Sequence, residues 1–476
     1  MKRTKIVCTI GPASDKKTTL KQIVKSGMNV ARLNFSHNIH SYHAGVIRKI
    51  RSVSKELKTN IAILVDLQGP RIRLSKLPED GVKLRKGAKI VLTTEKKFGE
   101  KEIGVTYEFM HKDVKPDERI LIADGLMELM IEKVQGKKMY CRVVNGGTAF
   151  SNKGINLPDT DVSIESLSDK DKKDVEFAVK NKADFLALSF VRSAKDVKDL
   201  RSLIKRKQKK LNIEPESPIN IIVKIERREA VEDFDLILKE CDAVMVARGD
   251  LGIELPVEEV PLIQKQLIDK CLKASKPVIV ATQMLESMIV NPRPTRAEAS
   301  DVANAVIDHA DAVMLSGETA GGKFPVEAVK TMSKIIKATE ASCYDDIEIK
   351  EILEINKETG VAIGQLARIL SENSKAKAVV GSSMTGDTGR IVSKFRPESP
   401  IYIGSYTERV MRQLCLSWGV TSFKMGELKD HEDFIAKSKR FLKKNKFVKV
   451  NDQVIFVAGL PIKKKSKINF IELRVI

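Results

Sequence analysis

Short apolar runs and amphipathic stretches alternate along the first two-thirds of the chain. The runs are KIVCTI, MNVARLNF and IAILVDL, then, after a gap, DFLALSF, INIIVKIE, DAVMVARGD, PVIVATQ and DAVMLSGE. Apolarity that continues through a run without alternating predicts strands covered on both faces, as in a parallel sheet. Stretches such as KTTLKQIVKSG and SAKDVKDLRSLIKRKQ carry the spacing of amphipathic helices. Eight such strands alternating with helices predict a (β/α)8 TIM barrel.

The gap after the third run is too long for one helix. It holds GVKLRKGAKIVLTT, ERILIADGLMELMI and KKMYCRVVNGGT, which read as short strands parted by Gly, Pro and Asp turns. This predicts a small β-barrel inserted into the larger barrel as a lid. Beyond residue 340 the runs AKAVVGSSM, PIYIGS, GVTSFKM and QVIFVAG interleave with helical stretches. They predict a C-terminal α/β domain on a parallel or mixed sheet. The expected division is 1–69 and 161–340 for the barrel, 70–160 for the lid and 341–476 for the last domain.

Charge narrows the partners. The 84 Lys+Arg against 63 Asp+Glu leave a net +21, which steers anions such as nucleotides and phosphorylated metabolites towards the protein. The basic runs KRKQKK (Lys205–Lys210) and Lys463–Lys467 read as solvated surface, and aromatics at 5% do not interleave with them, so no base-stacking platform is expected. The six cysteines form no C-x-x-C pair, which argues against a zinc site or a disulfide framework. MKRTKIVCTIGPAS does not read as a signal peptide, and no run approaches the roughly 20 residues of a membrane span. A cytoplasmic enzyme that meets no membrane is expected.

In a barrel of this kind the chemistry sits at the C-terminal ends of the strands. Strand two ends in Arg32, Asn34, Ser36 and His37, and strand three in Asp66 followed by Gln68-Gly69-Pro70-Arg71-Ile72-Arg73. Strand five ends in Lys224 and Glu226, strand six in Arg248-Gly249-Asp250, strand seven in Thr282-Gln283 and strand eight in Ser316-Gly317-Glu318. Period-2 alternation turns Lys224 and Glu226 to one face. Two carboxylates from neighbouring strands, Glu226 and Asp250, suit Mg2+ (or Mn2+), which keeps open positions for substrate oxygens. With Lys224 and Arg32 beside them, they fit a phosphoryl group, whose transfer depends on positioning and charge.

MNVARLNFSH, DLQGPRIR, NGGTAFSNKGINLP, IIVKIERREA, MVARGDLGIEL, ATQMLESMIVNPRPTRAEASDVANAV and DAVMLSGETAGGKFPVEAV together resemble the pyruvate kinase family. The resemblance implies Mg2+-dependent phosphoryl transfer from phosphoenolpyruvate to ADP, giving pyruvate and ATP in a cytoplasmic homotetramer. It implies catalytic roles for Lys224, Thr282, Arg32 and Arg73, and substrate contacts from Arg32, Gly249, Asp250 and Thr282. Asn34, Ser36, His37, Arg73 and Lys153 would take the nucleotide, and Glu226 and Asp250 the Mg2+. A monovalent cation in the family lies at positions matching Asn34, Ser36, Asp66 and Leu67. Here Leu67, Gln68 and Arg71 resemble K+-independent members in which a side-chain cation stands in for the ion, so K+ is not expected to be required. Ala123 in LIADGLMEL replaces the first of two paired aspartates, which implies weaker lid contacts.

SSMTGDTGR resembles the family's effector loop and implies that Ser383, Thr385, Gly386 and Thr388 cradle a phosphorylated effector. LPIKKKSKINF does not follow the family's glycine-rich pattern, which argues against fructose 1,6-bisphosphate and leaves a sugar monophosphate or AMP. His37, His40 and His43 are spaced to share a helix side as a metal site, against which His37 has its nucleotide reading. Two rival functions remain open: a Mg2+-dependent pyruvate or oxaloacetate C–C lyase, and a basic nucleic-acid-binding protein with an inactive barrel.

Overall fold

The computed structural model describes residues 2–97, 99, 102–213, 217–346, 358–460 and 467–476. Eight parallel strands close into a barrel: β1 (Lys5–Thr9), β2 (Val30–Asn34), β3 (Ala62–Asp66) and, after the insertion, five more. The insertion contributes β4 (Val82–Leu84), β5 (Lys89–Thr93), β6 (Glu102–Gly104), β7 (Arg119–Ile122), β8 (Met127–Gln135), β9 (Lys138–Asn145), β10 (Gly147–Ala149) and β11 (Ile155–Asn156). The barrel then resumes with β12 (Phe185–Leu188), β13 (Asn220–Ile225), β14 (Ala243–Ala247), β15 (Val278–Ala281) and β16 (Ala312–Leu315). All eight expected runs supply its strands. β1 closes the ring by pairing with both β2 and β16.

The strands are apolar throughout because both faces are covered. Ile221, Val223 and Ile225 of β13 pack outwards into the core shared with the helices, while Ile222 packs inwards with Val7, Val30, Leu64 and Ala187. This inward layer sets up the site, since the next inward position is two residues on.

In the insertion a six-stranded sheet runs in the order β11-β7-β8-β9-β5-β6, beside the two-stranded ribbon β10-β4. Its two edges are joined through residues 73 and 74, which bridge Gly154 next to β11 and Val105 next to β6. That pairing curls the sheet towards the small barrel the sequence predicts, around its own core of Leu92, Ile120, Leu129, Ile131 and Met139.

The C-terminal domain carries β17 (Ala378–Ser382), β18 (Ile401–Ser405), β19 (Val420–Lys424), β20 (Gln453–Ala458) and β21 (Phe470–Val475), in the order β19-β18-β17-β20-β21. The first four are parallel and β21 runs antiparallel to β20, so the sheet is mixed. The domain docks under the barrel. Cys415 and Leu416 from its 3-10 turn Leu414–Leu416 join the inward-facing layer, and Lys5 Nζ donates to the Val420 carbonyl (2.7 Å). Trp418 lies beneath, with Arg396 and Arg3 over its ring at 4.9 and 5.4 Å. Among the described residues, no helix is long and apolar enough to cross a membrane.

Candidate active site

Two residues beyond the apolar inward layer, five barrel strands turn polar together. Thr9, Arg32, Asp66, Ser189 and Lys224 continue the inward registers of Val7, Val30, Leu64, Ala187 and Ile222, which brings side chains far apart in sequence into one bonded ring. Asp66 is its hub. It accepts from Arg32 Nε (2.7 Å) and faces Lys224 Nζ at 3.6 Å. Arg32 also donates to Thr9 Oγ1 (2.9 Å). Lys224 Nζ donates to Ser189 Oγ (2.8 Å) and lies 2.7 Å from Glu226 Oε1.

Burying this many charges is tolerable only because they are paired. Burial alone would raise the Asp66 carboxyl, but Lys224 and Arg32 outweigh it and hold it below the usual carboxylate range. Burial alone would lower the Lys224 ammonium, and Asp66 with Glu226 overrides that in the same way. Glu226 goes the other way. Burial, with the charge of Asp250 adding to it, pushes its carboxyl up to about 7 against the pull of Lys224. Its Oε2 accepts the Phe190 N–H (2.7 Å), whereas its buried Oε1 completes no hydrogen bond of good geometry. Three carboxylates against two cations leave the cluster one negative charge in excess when all are ionised.

Asp250 stands in the first turn of the helix Arg248–Glu254, which begins directly after β14. The Gly249 N–H is not free: it donates to Thr282 Oγ1 (2.9 Å), and Thr282 Oγ1 in turn donates to the Ala281 carbonyl (2.6 Å). Thr282 holds φ +72°, a left-handed conformation costly for a β-branched residue and typical of functional sites. Arg248 keeps that turn in place, donating to the Thr282 carbonyl (2.8 Å) while paired to Asp301 at 2.6 and 2.7 Å.

Of the expected nucleotide residues, Asn34 ends β2 and accepts the Ser36 N–H on its Oδ1 (3.0 Å), and His37 is exposed. Arg73 Nη1 donates to the Asn152 carbonyl (2.8 Å), next to the exposed Lys153. Burial, followed by the charge of Arg71, lowers the Arg73 guanidinium. Arg71 itself pairs with Asp124 of the insertion (2.9 Å). Among the described residues it makes no bond to Asn34, Ser36 or Asp66, so it is not seen as the stand-in for a monovalent cation. Arg71 and Asp124 both lie within the expected segment 70–160, so this pair is internal to it. The Leu67 carbonyl at that position accepts from Ser189 Oγ (2.7 Å).

The three histidines do not converge. His40 Nε2 meets Asp174 (2.6 Å) and His43 Nε2 meets the His37 carbonyl (2.9 Å). Among the described residues, no group of three His, Cys, Asp or Glu could hold a metal. Ser383, Thr385 and Thr388 line a 780 Å3 cavity between the C-terminal domain and the underside of the barrel. Ser383 Oγ accepts the Gly386 N–H (2.8 Å), and Asp387 accepts from Thr385 Oγ1 (2.5 Å) and Arg390 (2.7 Å). Lys467 also lines the cavity, whereas Lys463, Lys464 and Lys465 lie outside the described residues.

Sequence reasoning passed over Thr9, Ser189 and the Phe190 N–H. Strands one and four end in unremarkable residues, and only the shared inward register marks Thr9 and Ser189 as members of the ring. Phe190 at φ +55° leaves no trace in composition.

The family model for the pyruvate kinase barrel domain matches residues 1–329, and that for the pyruvate kinase alpha/beta domain matches residues 361–474. Pyruvate kinase of Geobacillus stearothermophilus is 42% identical over 479 residues, spanning 100% of this chain and 80% of its own length. That of Clostridium perfringens is 38% identical over 470 residues, 97% of each chain. That of Clostridium acetobutylicum is 38% identical over 483 residues, 100% of each.

Proposed function

The chain belongs to the pyruvate kinase family of phosphotransferases, and on that premise we propose that the polar ring of its barrel transfers the phosphoryl group of phosphoenolpyruvate to ADP. The bond from phosphorus to the enol oxygen breaks, a bond to a terminal oxygen of ADP forms, and the enolate left behind takes a proton at carbon to become pyruvate. The observation that carries this reading is Lys224: a buried ammonium held between Asp66 and Glu226 at 3.6 and 2.7 Å.

Glu226 and Asp250 would hold Mg2+ (or Mn2+). What supports this is the Glu226 carboxyl, pushed up to about 7 by burial and the charge of Asp250 with Lys224 set against them, the mark of neighbouring carboxylates short of positive charge. A divalent cation bound there supplies positive charge opposite the phosphoryl and enolate oxygens. The chain does the rest. Lys224 and Arg32 bring fixed cations to the phosphoryl group, and Asp66 keeps both heads in place. Arg73 and Lys153 reach the nucleotide phosphates from the insertion, whose closure would exclude water. Asn34, Ser36 and His37 receive the rest of the nucleotide. Gly249 and Asp250 offer N–H groups to the substrate carboxylate once Thr282 Oγ1 releases Gly249, and the freed hydroxyl then stands beside the enolate.

We propose further that K+ is not required. What supports this is the fixed positive charge already beside Asp66, from Arg32 Nε at 2.7 Å and Lys224 Nζ at 3.6 Å, against which a further monovalent cation at the same carboxylate would have to sit. A phosphorylated effector at Ser383, Thr385, Gly386 and Thr388, a cytoplasmic homotetramer, and domain borders at 69/70, 160/161 and 340/341 complete the proposal.

The test is steady-state pyruvate formation from phosphoenolpyruvate and ADP with Mg2+, for wild type and Lys224→Met, with and without K+ at matched ionic strength. Wild-type turnover that ignores K+ and falls about 100- to 1,000-fold in the variant is expected for a lost transition-state charge. Turnover seen only with K+ keeps the enzyme and removes the cation claim. No turnover under any condition returns the lyase and nucleic-acid readings.

A further inference from the structure

We infer that His43, Lys170 and Asp174 are positioning residues that hold the loop 34–37 from behind; this rests on reading that loop as the ADP-binding segment. None of the three belongs to the ring of the barrel. Two carbonyls on either side of Ser36 are each tied down. The Phe35 carbonyl accepts from Lys170 Nζ (2.6 Å), and the His37 carbonyl meets His43 Nε2 (2.9 Å). A carbonyl can only accept, so the proton of His43 sits on Nε2. Its buried Nδ1 then has no partner, and burial, which lowers the imidazole, keeps the ring neutral in that tautomer.

The side chain between those carbonyls is fixed too. The Phe35 ring is buried and stacks on the His43 imidazole with centroids 4.2 Å apart and planes 12° apart, and the Phe177 ring packs tilted against it at 5.4 Å. Asp174, almost fully buried, bonds Lys170 Nζ (2.7 Å) and His40 Nε2 (2.6 Å). It stands on the helix Asp169–Lys180, the first helix after the inserted domain. The helix that follows the lid therefore grips the loop that leaves β2. A cluster this specific, aimed at two backbone carbonyls of one four-residue loop, sets the loop's geometry before any nucleotide arrives.

Three variants test this: His43→Phe, which keeps a ring against Phe35 but removes the donor; His43→Gln, which keeps an amide donor; and Lys170→Met at a half-exposed position. Ser36→Ala and Lys153→Ala, assayed beside them, report on the nucleotide reading itself. Loss of one buried hydrogen bond predicts a KM for ADP raised about 5- to 10-fold in His43→Phe, with kcat within about 2-fold. The KM for phosphoenolpyruvate is expected to stay unchanged, and calorimetric ADP binding to weaken in step. His43→Gln should recover part of the loss, and Lys170→Met should raise the ADP KM about 3-fold. A merely structural role would lower kcat and both affinities together, and that pattern overturns the proposal. So does an unchanged ADP KM in His43→Phe while Ser36→Ala and Lys153→Ala raise it. If those two also leave ADP binding unaltered, the nucleotide reading fails and the positioning role goes with it. Should His43→Phe not fold, Lys170→Met decides alone, and an unaltered ADP KM there is a refutation.

Discussion

At the scale of single residues, the charges that matter are those the fold keeps from water. The ring of Arg32, Asp66, Lys224 and Glu226 shows this at the barrel's mouth, and His309 with Asp345 shows it far from the site. Their polar atoms are 3.9 Å apart, too far for a hydrogen bond, and burial dominates both. It pushes the Asp345 carboxyl up to about 7, helped by Glu340, and the His309 imidazole down to about 4, helped by Arg396. Between about pH 4 and 7 the folded chain keeps a proton on Asp345 that the unfolded chain releases, so this group's contribution to stability falls as pH rises. His309 acts oppositely: below about pH 6.5 the unfolded chain binds a proton that the folded chain refuses, so stability rises from about pH 4 to 6.5. The two slopes oppose each other in the wild type. Asp345→Asn leaves the histidine slope alone, so the Tm of the variant minus that of the wild type should climb from pH 4 to 7. Thermal melts across that range check it, and a flat difference would refute the burial argument.

At the scale of elements, the most consequential piece is the short turn Leu414–Leu416. It closes the underside of the barrel, where Leu416 is fully buried against inward-facing residues such as Val7 and Ala312. Two domains therefore share one packed layer. Truncation to Ala should cost about 2–5 kcal/mol, the usual range for a fully buried leucine. Because the chain's single Trp418 sits two residues on, with Arg3 and Arg396 against its ring, its emission should shift in the same melting transition that the barrel's ellipticity follows. If Leu416→Ala melts within about 1 °C of wild type, the turn is not a structural plug.

The elements also show where sequence patterning carries information and where it stops. All eight barrel strands are legible because burial on both faces forces unbroken apolar runs such as AVMVA and VIVA. β21, FIELRV, is a half-exposed edge strand in which Ile471, Leu473 and Val475 alternate with Glu472 and Arg474; that alternation marks a strand, but not which neighbour it pairs with or in which direction. Its direction is what makes the last sheet mixed.

At the scale of the whole molecule, the net charge of +21 is an argument about rate rather than fold. Anionic substrates approach a cationic body, so kcat/KM should fall several-fold between about 0.02 and 0.5 M ionic strength in a non-interacting salt, as screening shortens the field. kcat should respond far less, because the ring's own charges are buried and paired. Stopped-flow or steady-state assays over a salt series separate the two, and equal sensitivity of kcat and kcat/KM would remove the steering argument.

What the chain by itself determined is the barrel and the kinds of group at its mouth. Period-2 alternation puts Lys224 and Glu226 on one face, and strand ends are where a parallel barrel presents polar residues. What only the tertiary structure decided is which group each of them meets. Asp66 reads from sequence as one member of an ion site, and folding makes it the hub that pairs Arg32 with Lys224. Arg71 reads as a stand-in cation and instead bridges to Asp124; Gly249 reads as a substrate contact, and its N–H meets Thr282. Ser189 and the Leu416 turn show no signal at all. The physical reason is common to these cases. Alternation and burial are properties of a residue's own strand and can be read locally. Hydrogen bonds and ion pairs are between residues tens or hundreds of positions apart, and only closing the barrel brings them within 3 to 4 Å.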